Sequence, residues 1–373
     1  MQPAIPRALV ALAVAAAHAA PVPATDTPPA AEAAATTGRR PAVSGFVDLV
    51  YAYGFNRPAD AEHWFPGVGT AAQRDDELSV NLAQVDVAMP PAPVGFHIAA
   101  GFGTALDVVH ASEPDDAWDH LVQASMQVRA GDRGVLVEAG VYPSHVGFET
   151  LATRDNWNYT RSFMGEFSPY YQAGVRVAFP LGERWSSEVH LLNGWQLITD
   201  NNRGKTLGWK FAFAGDRIDA SFNGLAGPER PDDDRDRRIL LDSVMVWRID
   251  PAWSAAATLD VAGEERPEDA AARWWGAAIY VRRAGDGGRY AGTLRVERFD
   301  DSEGAISGTA QRLDSATATL EMRPFPNLIL KAEGRYDRSS APVFAADERD
   351  ASGAVIRDRR DQAIVLVGAV ATF

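Results

Sequence analysis

The chain has 373 residues, of which 46% are hydrophobic and 9% aromatic, and that excludes a disordered polymer. With 36 Lys+Arg against 50 Asp+Glu the formal charge is -14, and no basic stripe is available to meet a phosphate backbone, so nucleic acid is not a partner. The absence of Cys removes disulfides, thiolate metal sites and catalytic thiols together. A mean hydropathy of -0.19 is that of a water-soluble protein, an impression the patterning reverses.

Residues 1–20 carry an early Arg7, an apolar run from Ala8 to Ala17 and the small residues Ala17 and Ala19, which reads as a secretory signal cleaved after Ala19 or Ala20. Residues 21–43 are Pro-, Ala- and Thr-rich with almost no branched apolar or aromatic side chains, the composition of a disordered linker. Beyond residue 20 no stretch reaches the ~18 uncharged apolar residues of a spanning helix.

From Ser44 the dominant period is two. Val47, Leu49, Tyr51, Tyr53 and Phe55 share a face opposite Asp48, Ala52 and Gly54. Phe96, Ile98, Ala100, Phe102 and Leu106 oppose His97, Gly101, Gly103 and Asp107, and Leu207, Trp209, Phe211 and Phe213 oppose Thr206, Gly208, Lys210 and Ala212. The pattern predicts sixteen strands over 45–55, 80–90, 94–107, 121–129, 134–142, 171–179, 185–195, 205–214, 217–225, 238–249, 253–262, 273–283, 289–299, 312–323, 327–337 and 361–373.

Short and long connections strictly alternate. The short ones, such as Pro180-Leu181-Gly182-Glu183 and Gly285-Asp286-Gly287-Gly288, have the chemistry of tight hairpins. Sixteen strands closed into a cylinder leave a lumen too wide for wall side chains to fill, so the polar face must meet water and the apolar face another solvent. Lipid is that solvent, and closure leaves no strand edge unpaired in hydrocarbon. The expected fold is therefore all-β: a transmembrane antiparallel up-and-down β-barrel over residues 44–373, with short periplasmic turns and long extracellular loops.

Aromatics near strand ends, Tyr51, Tyr53, Phe55, Phe179, Trp185, Trp247, Trp253, Trp274, Trp275 and Tyr336, match interface girdles. Phe373 ends a last strand in which Val365, Val367, Ala369 and Ala371 share its face, the signal by which barrel-assembly machinery recognises outer-membrane strands. Strand parity puts Asp48, Asp86, Arg129, Glu138, Arg176, Lys210, Lys331, Glu333 and Arg335 on the pore wall, the last three with Asp337 as a water-lining ladder. By the same parity Thr206 should accept Lys and Trp209 should not.

The connection 143–170 is too aromatic for a free surface loop. Trp157, Tyr159, Phe163, Phe167 and Tyr170 need something to pack against, and the inner wall is nearest. Folded inward, it would form a constriction with Trp157 and Tyr159 as anchors and Arg154 and Arg161 as field-setting charges opposite Asp48, Glu138 and Lys210; Glu149, Asp155 and Glu166 complete its charged set.

These residues resemble a family, the OmpL-like β-barrel porins of Gram-negative outer membranes. The resemblance rests on Ser44-Gly45-Phe46 with Asp48 and Tyr51-Ala52-Tyr53, Glu138-Ala139-Gly140, Gly147-Phe148-Glu149 and Asn156-Trp157-Asn158-Tyr159-Thr160-Arg161-Ser162. It continues in Pro169-Tyr170-Tyr171, Gly174-Val175-Arg176, Asn193-Gly194-Trp195, Asp200-Asn201-Asn202 and Lys205-Thr206, covering about residues 44–215. It implies passive passage of small hydrophilic solutes, and a homotrimer is among the assemblies it allows. Lipopolysaccharide and outer-membrane lipid would surround the barrel.

Little argues for chemistry. There is no Gly-x-Ser-x-Gly elbow, and Ser144 next to His145 is a poor geometry for activating a nucleophile. The acidic runs Glu113 to His120 and Asp232 to Asp236 lack the spacing and central Gly of a calcium loop and read as solvated surface. The reading is of a channel without catalytic residues, metal or cofactor; the alternative is a non-conducting recognition or adhesion barrel acting through its extracellular loops.

Overall fold

The computed structural model describes residues 40–62, 69–131, 134–266 and 270–373. The signal at 1–20, and the linker at 21–43 except its last four residues, lie outside the described residues. Ala42 and Val43 already belong to the first strand.

The strands are β1 (Ala42–Gly54), β2 (Glu77–Met89), β3 (Val94–Phe102), β4 (Leu121–Ala130), β5 (Val135–Pro143), β6 (Tyr171–Pro180), β7 (Trp185–Leu192) and β8 (Thr206–Ala214). They continue as β9 (Ile218–Pro228), β10 (Arg237–Arg248), β11 (Trp253–Glu264), β12 (Ala272–Gly285), β13 (Tyr290–Asp301), β14 (Gln311–Phe325), β15 (Leu328–Ser339) and β16 (Asp361–Thr372). Each pairs antiparallel with its sequence neighbours, and β1 pairs with β16 to close the barrel. Every wall strand therefore has a partner on both sides, as hydrocarbon requires. Phe373 completes the closure: its N–H donates to the Gly45 carbonyl at 3.0 Å, and the Gly45 N–H donates to its carbonyl at 3.2 Å.

The polarity of the wall is inverted relative to a soluble protein. Outward residues are apolar and exposed, Val47, Tyr51, Ile98, Leu207, Leu294, Leu320 and Val367 among them, whereas Asp48, Glu138, Arg295, Lys331 and Glu333 are buried inside. The short-turn end places glycine where the backbone requires it: Gly287 and Gly288 have φ of 65° and 90°, which a Cβ disfavours. The long connections, L1 (55–76), L2 (103–120), L3 (144–170), L4 (193–205), L5 (229–236), L6 (265–271), L7 (302–310) and L8 (340–360), all lie at the other end.

Three expectations need correction. β3 ends at Phe102, not 107, because Gly103 (φ 135°) leaves the β region, and a short helix α1 (Thr104–Val109) follows. Leu106 accordingly does not face lipid but packs inside with Phe46, Leu82, Ile329 and Val370. β7 stops at Leu192 rather than 195. Trp274 is not a girdle residue: it is buried in the lumen with Tyr142, Leu240 and Phe299, and only its neighbour Trp275 faces out.

The lumen is not an empty cylinder. Apolar residues of β5, β7 and β9–β14 form an internal core with Phe163, Met164 and Phe167 of L3 and Val343 and Phe344 of L8. A second cluster joins Val50, Ala52, Ile364 and Leu366 of the wall to Ala71 and Ala72 of L1 and Tyr159 of L3. Loops thus enter the barrel and bury apolar patches that a fully hydrated lumen would leave in water.

Candidate pore and inward loop

L3 runs across the interior with an irregular backbone, containing one 3-10 turn (Thr153–Asp155) and a short helix α2 (Phe163–Phe167). Ser162 caps α2, its Oγ accepting from the Gly165 N–H at 3.1 Å. Backbone outside regular structure and away from water needs partners for its N–H and C=O groups, and the wall's charged side chains supply them. Carboxylates take the donors. Glu333 of β15 accepts from the N–H groups of Tyr159 at 2.6 Å and Thr160 at 3.0 Å, and Glu297 of β13 accepts from the Phe163 N–H at 2.6 Å. Cations take the carbonyls. Lys331 donates to Thr153 at 2.8 Å and Asn156 at 2.5 Å, Arg295 to Thr160 at 2.7 Å, and Arg335 to Arg161 at 2.6 Å.

Side chains complete the attachment. Tyr159 and Thr153 each donate a hydroxyl to Asp48 at 2.8 Å. Arg295 donates to Glu149 at 3.0 Å, and Glu149 accepts from the Ser162 N–H at 2.7 Å. The two ends of the loop meet neighbouring strands: the Gly147 N–H donates to Asp242 of β10 at 3.2 Å, and Ser168 donates to Asp260 of β11 at 3.1 Å. Asp242 and Asp260 are directly opposed in register. Trp157 packs edge-on to Phe148 with centroids 5.3 Å apart.

Several expected roles change. Asp48, Lys331, Glu333 and Arg335 do not line water: each is at most 4% exposed because L3 covers it. Arg161 does not point into open lumen; it is 2% exposed, stacks over Tyr170 at 4.1 Å and pairs with Glu166 at 3.6 Å. Glu166 also accepts from the Thr70 N–H of L1 at 3.1 Å. Arg154 lies over the Phe46 ring at 4.2 Å beside Asp155, and these two remain accessible.

On the opposite side of the wall, polar side chains pair with one another. Arg176 donates to Glu138 at 2.7 Å and pairs with Glu188 at 3.3 Å, while Lys210 stands beside Glu188 in register. Asp86 contacts His97 at 2.9 Å and Gln84 at 3.0 Å. Glu138 and Asp86 are buried by these neighbours; Arg176, Lys210, Gln84 and Gln127 are half-buried and Arg129 is exposed. Thr206 is inward but closely packed: it is buried, it donates to Glu229, and a Cβ on Gly227 would fall 2.1 Å from its Oγ1. It has no room for Lys.

Parity alone could have located Asp242 and Asp260, since both fall on the inward face. The polar partners Thr153 and Thr319 carried no signal, because a threonine in a strand or loop is unremarkable until its partner is known.

Low-identity likeness to solved structures extends over the whole barrel. The anion-selective porin from Comamonas acidovorans superposes with a TM-score of 0.62 at 10% identity, covering 90% of this chain and 100% of that one. The outer membrane channel DcaP of Acinetobacter baumannii gives 0.59 at 14%, covering 91% and 99%, and OmpT of Vibrio cholerae 0.60 at 8%, covering 91% and 99%. No curated protein matches the sequence. The family described as "Putative beta-barrel porin-2, OmpL-like" matches residues 41–373, the entire barrel. A closed sixteen-stranded outer-membrane barrel with an inward third loop, the chain belongs to the OmpL-like β-barrel porin family.

Proposed function

We propose that the protein is a porin through which small hydrophilic solutes or ions diffuse passively, and that L3 narrows the passage. The observation that carries this reading is the one-sidedness with which the middle of L3 is attached. Residues 149–163 bond to β1, β13, β14 and β15, while Gln84, Gln127, Arg129, Arg176 and Lys210 on β2, β4, β6 and β8 keep accessible surface. Solutes then pass between the loop and the β2–β8 side, where fixed charge and the width left by L3 set selectivity. Arg154, Asp155 and Trp157 are its loop-side residues. Arg161, Tyr159, Glu149 and Glu166 hold the loop in place, as do the wall residues Asp48, Lys331, Glu333 and Arg335.

The same reading supplies the biology around the barrel. Residues 1–20 direct export and are removed, and Phe373 is read by the barrel-assembly machinery. Outer-membrane lipid and lipopolysaccharide surround the apolar face. A homotrimer is consistent with the trimer form of OmpT of Vibrio cholerae.

Planar-bilayer recording tests the reading. The purified protein should show stepwise ohmic conductance, and deletion of residues 152–164 should enlarge both the single-channel step and the sugars admitted in liposome swelling. A folded parent that passes no current would refute the channel; a folded deletion variant that conducts like the parent would refute the constriction.

A further inference from the structure

The outward face of β13–β16 carries a furrow of about 400 Å³. Its floor is made of small residues, Ala316, Ala318 and Gly334, and its sides of Leu294, Tyr336 and Val365. Leu294, Ala318, Gly334 and Val365 follow one another in register across the four strands, so the low floor between high sides is a property of the sequence at one level of the wall.

Gly334 is informative because nothing in the backbone demands it. It has no positive φ, and a Cβ built on it would meet no atom within 4 Å. Its missing side chain leaves space rather than permitting a turn or a close approach. A flat strand face of a second copy would ride on the flanking Leu294 and Val365, 62% and 45% exposed, without reaching that floor. A flexible hydrocarbon chain can lie in it.

The furrow also has a polar end. On the long-loop side of the Val296–Ala316–Tyr336 row lies the row Arg298, Asp314, Arg338 and Asp361. Both carboxylates are engaged elsewhere: Arg298 donates to Asp314 at 2.6 Å, and the Tyr336 hydroxyl donates to Asp361 at 3.1 Å. Among the described residues, no hydrogen bond or ion pair engages the exposed Arg338 guanidinium. A planar fork of free donors at a membrane interface suits a phosphate.

We propose that this furrow is a lipid site: it seats one acyl chain of a phosphorylated outer-leaflet glycolipid of the lipid A class, whose phosphate is bound by Arg338. The proposal rests on the outer-membrane orientation above but not on conduction, so its failure and that of the channel reading are separable.

Native mass spectrometry of the detergent-purified full chain with added lipid A, dephosphorylated lipid A or phosphatidylethanolamine tests it. The parent should retain lipid A in preference to the other two. Gly334→Phe fills the furrow, and Arg338→Glu opposes the phosphate; each should weaken retention roughly tenfold, the scale of one charge-assisted contact or one buried chain segment. Ala318→Phe, on the floor beside Gly334, is a second filling variant should the first fold poorly. Heat-modifiable migration would show the variants folded. Equal retention of lipid A by folded filling variants would overturn the site, and equal retention of all three lipids by the parent would overturn the phosphate contact. Conversion of an oligomer to monomer by Gly334→Phe with lipid retention unchanged would assign the furrow to a second copy instead.

Discussion

The phenol of Tyr159 donates to the carboxylate of Asp48 at 2.8 Å, joining the middle of L3 to the first strand across 111 residues of sequence. Both residues are at 0% exposure, and Asp48 also accepts from Thr153 and from Asn81 of β2. One carboxylate therefore ties a loop to two wall strands. Tyr159→Phe should weaken the attachment by about 1.5–3 kcal/mol, the range for a hydrogen bond to a charged group, while the ring keeps its apolar contacts with Val50 and Leu366. The readouts are faster proteolysis or hydrogen exchange within 152–164 and noisier open-channel current. A variant with parental exchange and noise would show that the bond does not restrain the loop.

Glu333 has more dependents than Asp48. Its two oxygens serve the N–H groups of Tyr159 and Thr160 and the hydroxyls of Thr160 and Thr319. Glu333→Leu strands these donors away from water, so it should loosen L3 more than Tyr159→Phe does. Hydrogen exchange of L3 compared between the two variants checks the order, and the reverse order would place the principal anchor elsewhere.

The two faces of the wall should respond oppositely to charge. Trp209→Lys puts an ammonium against lipid and should cost ~2–4 kcal/mol if the site is near the bilayer midplane. Gln127→Lys, inward and half-buried, should fold with parental yield and shift reversal potential towards anion preference. Urea titration of refolded barrels measures the first and a salt-gradient bilayer experiment the second. Equal destabilisation by both would mean the faces are misassigned.

Glu229 at the start of L5 links L4 and L5 by accepting from the Trp195 N–H at 2.5 Å and from Thr206. Burial pushes its carboxyl above the ordinary carboxylate range, against the lowering effect of those donors. The folded loop thus binds the proton more tightly than the unfolded loop, so protonation stabilises it. Its stability should rise as pH falls through the raised folded value towards the ordinary one and then level off. Glu229→Gln should flatten that dependence of L4–L5 protease resistance, and an unchanged pH profile would assign it to another group.

Removing Phe373 should lower the yield of heat-modifiable barrel without blocking export. The residue supplies both backbone bonds that extend the β1–β16 seam to Gly45, and its 70% exposed ring faces outward. Unchanged yield would remove the terminal residue from assembly.

Strand number, the alternation of short and long connections and the face of nearly every wall residue follow from local pattern. A pleated strand has period two, and each face meets one solvent, so Val47 and Asp48 report their sides without knowledge of any partner. The pattern misled at Gly103, where the backbone leaves the strand and carries Leu106 inward; at Trp274 parity pointed correctly to the lumen, and reading an aromatic near a strand end as a girdle residue went against it. That aromatics in 143–170 seek the inner wall could be reasoned from their density. Which charges stay in water could not. Lys331, Glu333 and Arg335 have the inward parity of pore-lining residues, and only the path of L3 turns them into partners for a buried backbone. Parity fixes the side of the wall on which a charge stands, but its solvation depends on what crosses the lumen, and contacts such as Tyr159 with Asp48 or Lys331 with Asn156 are made only when the barrel closes.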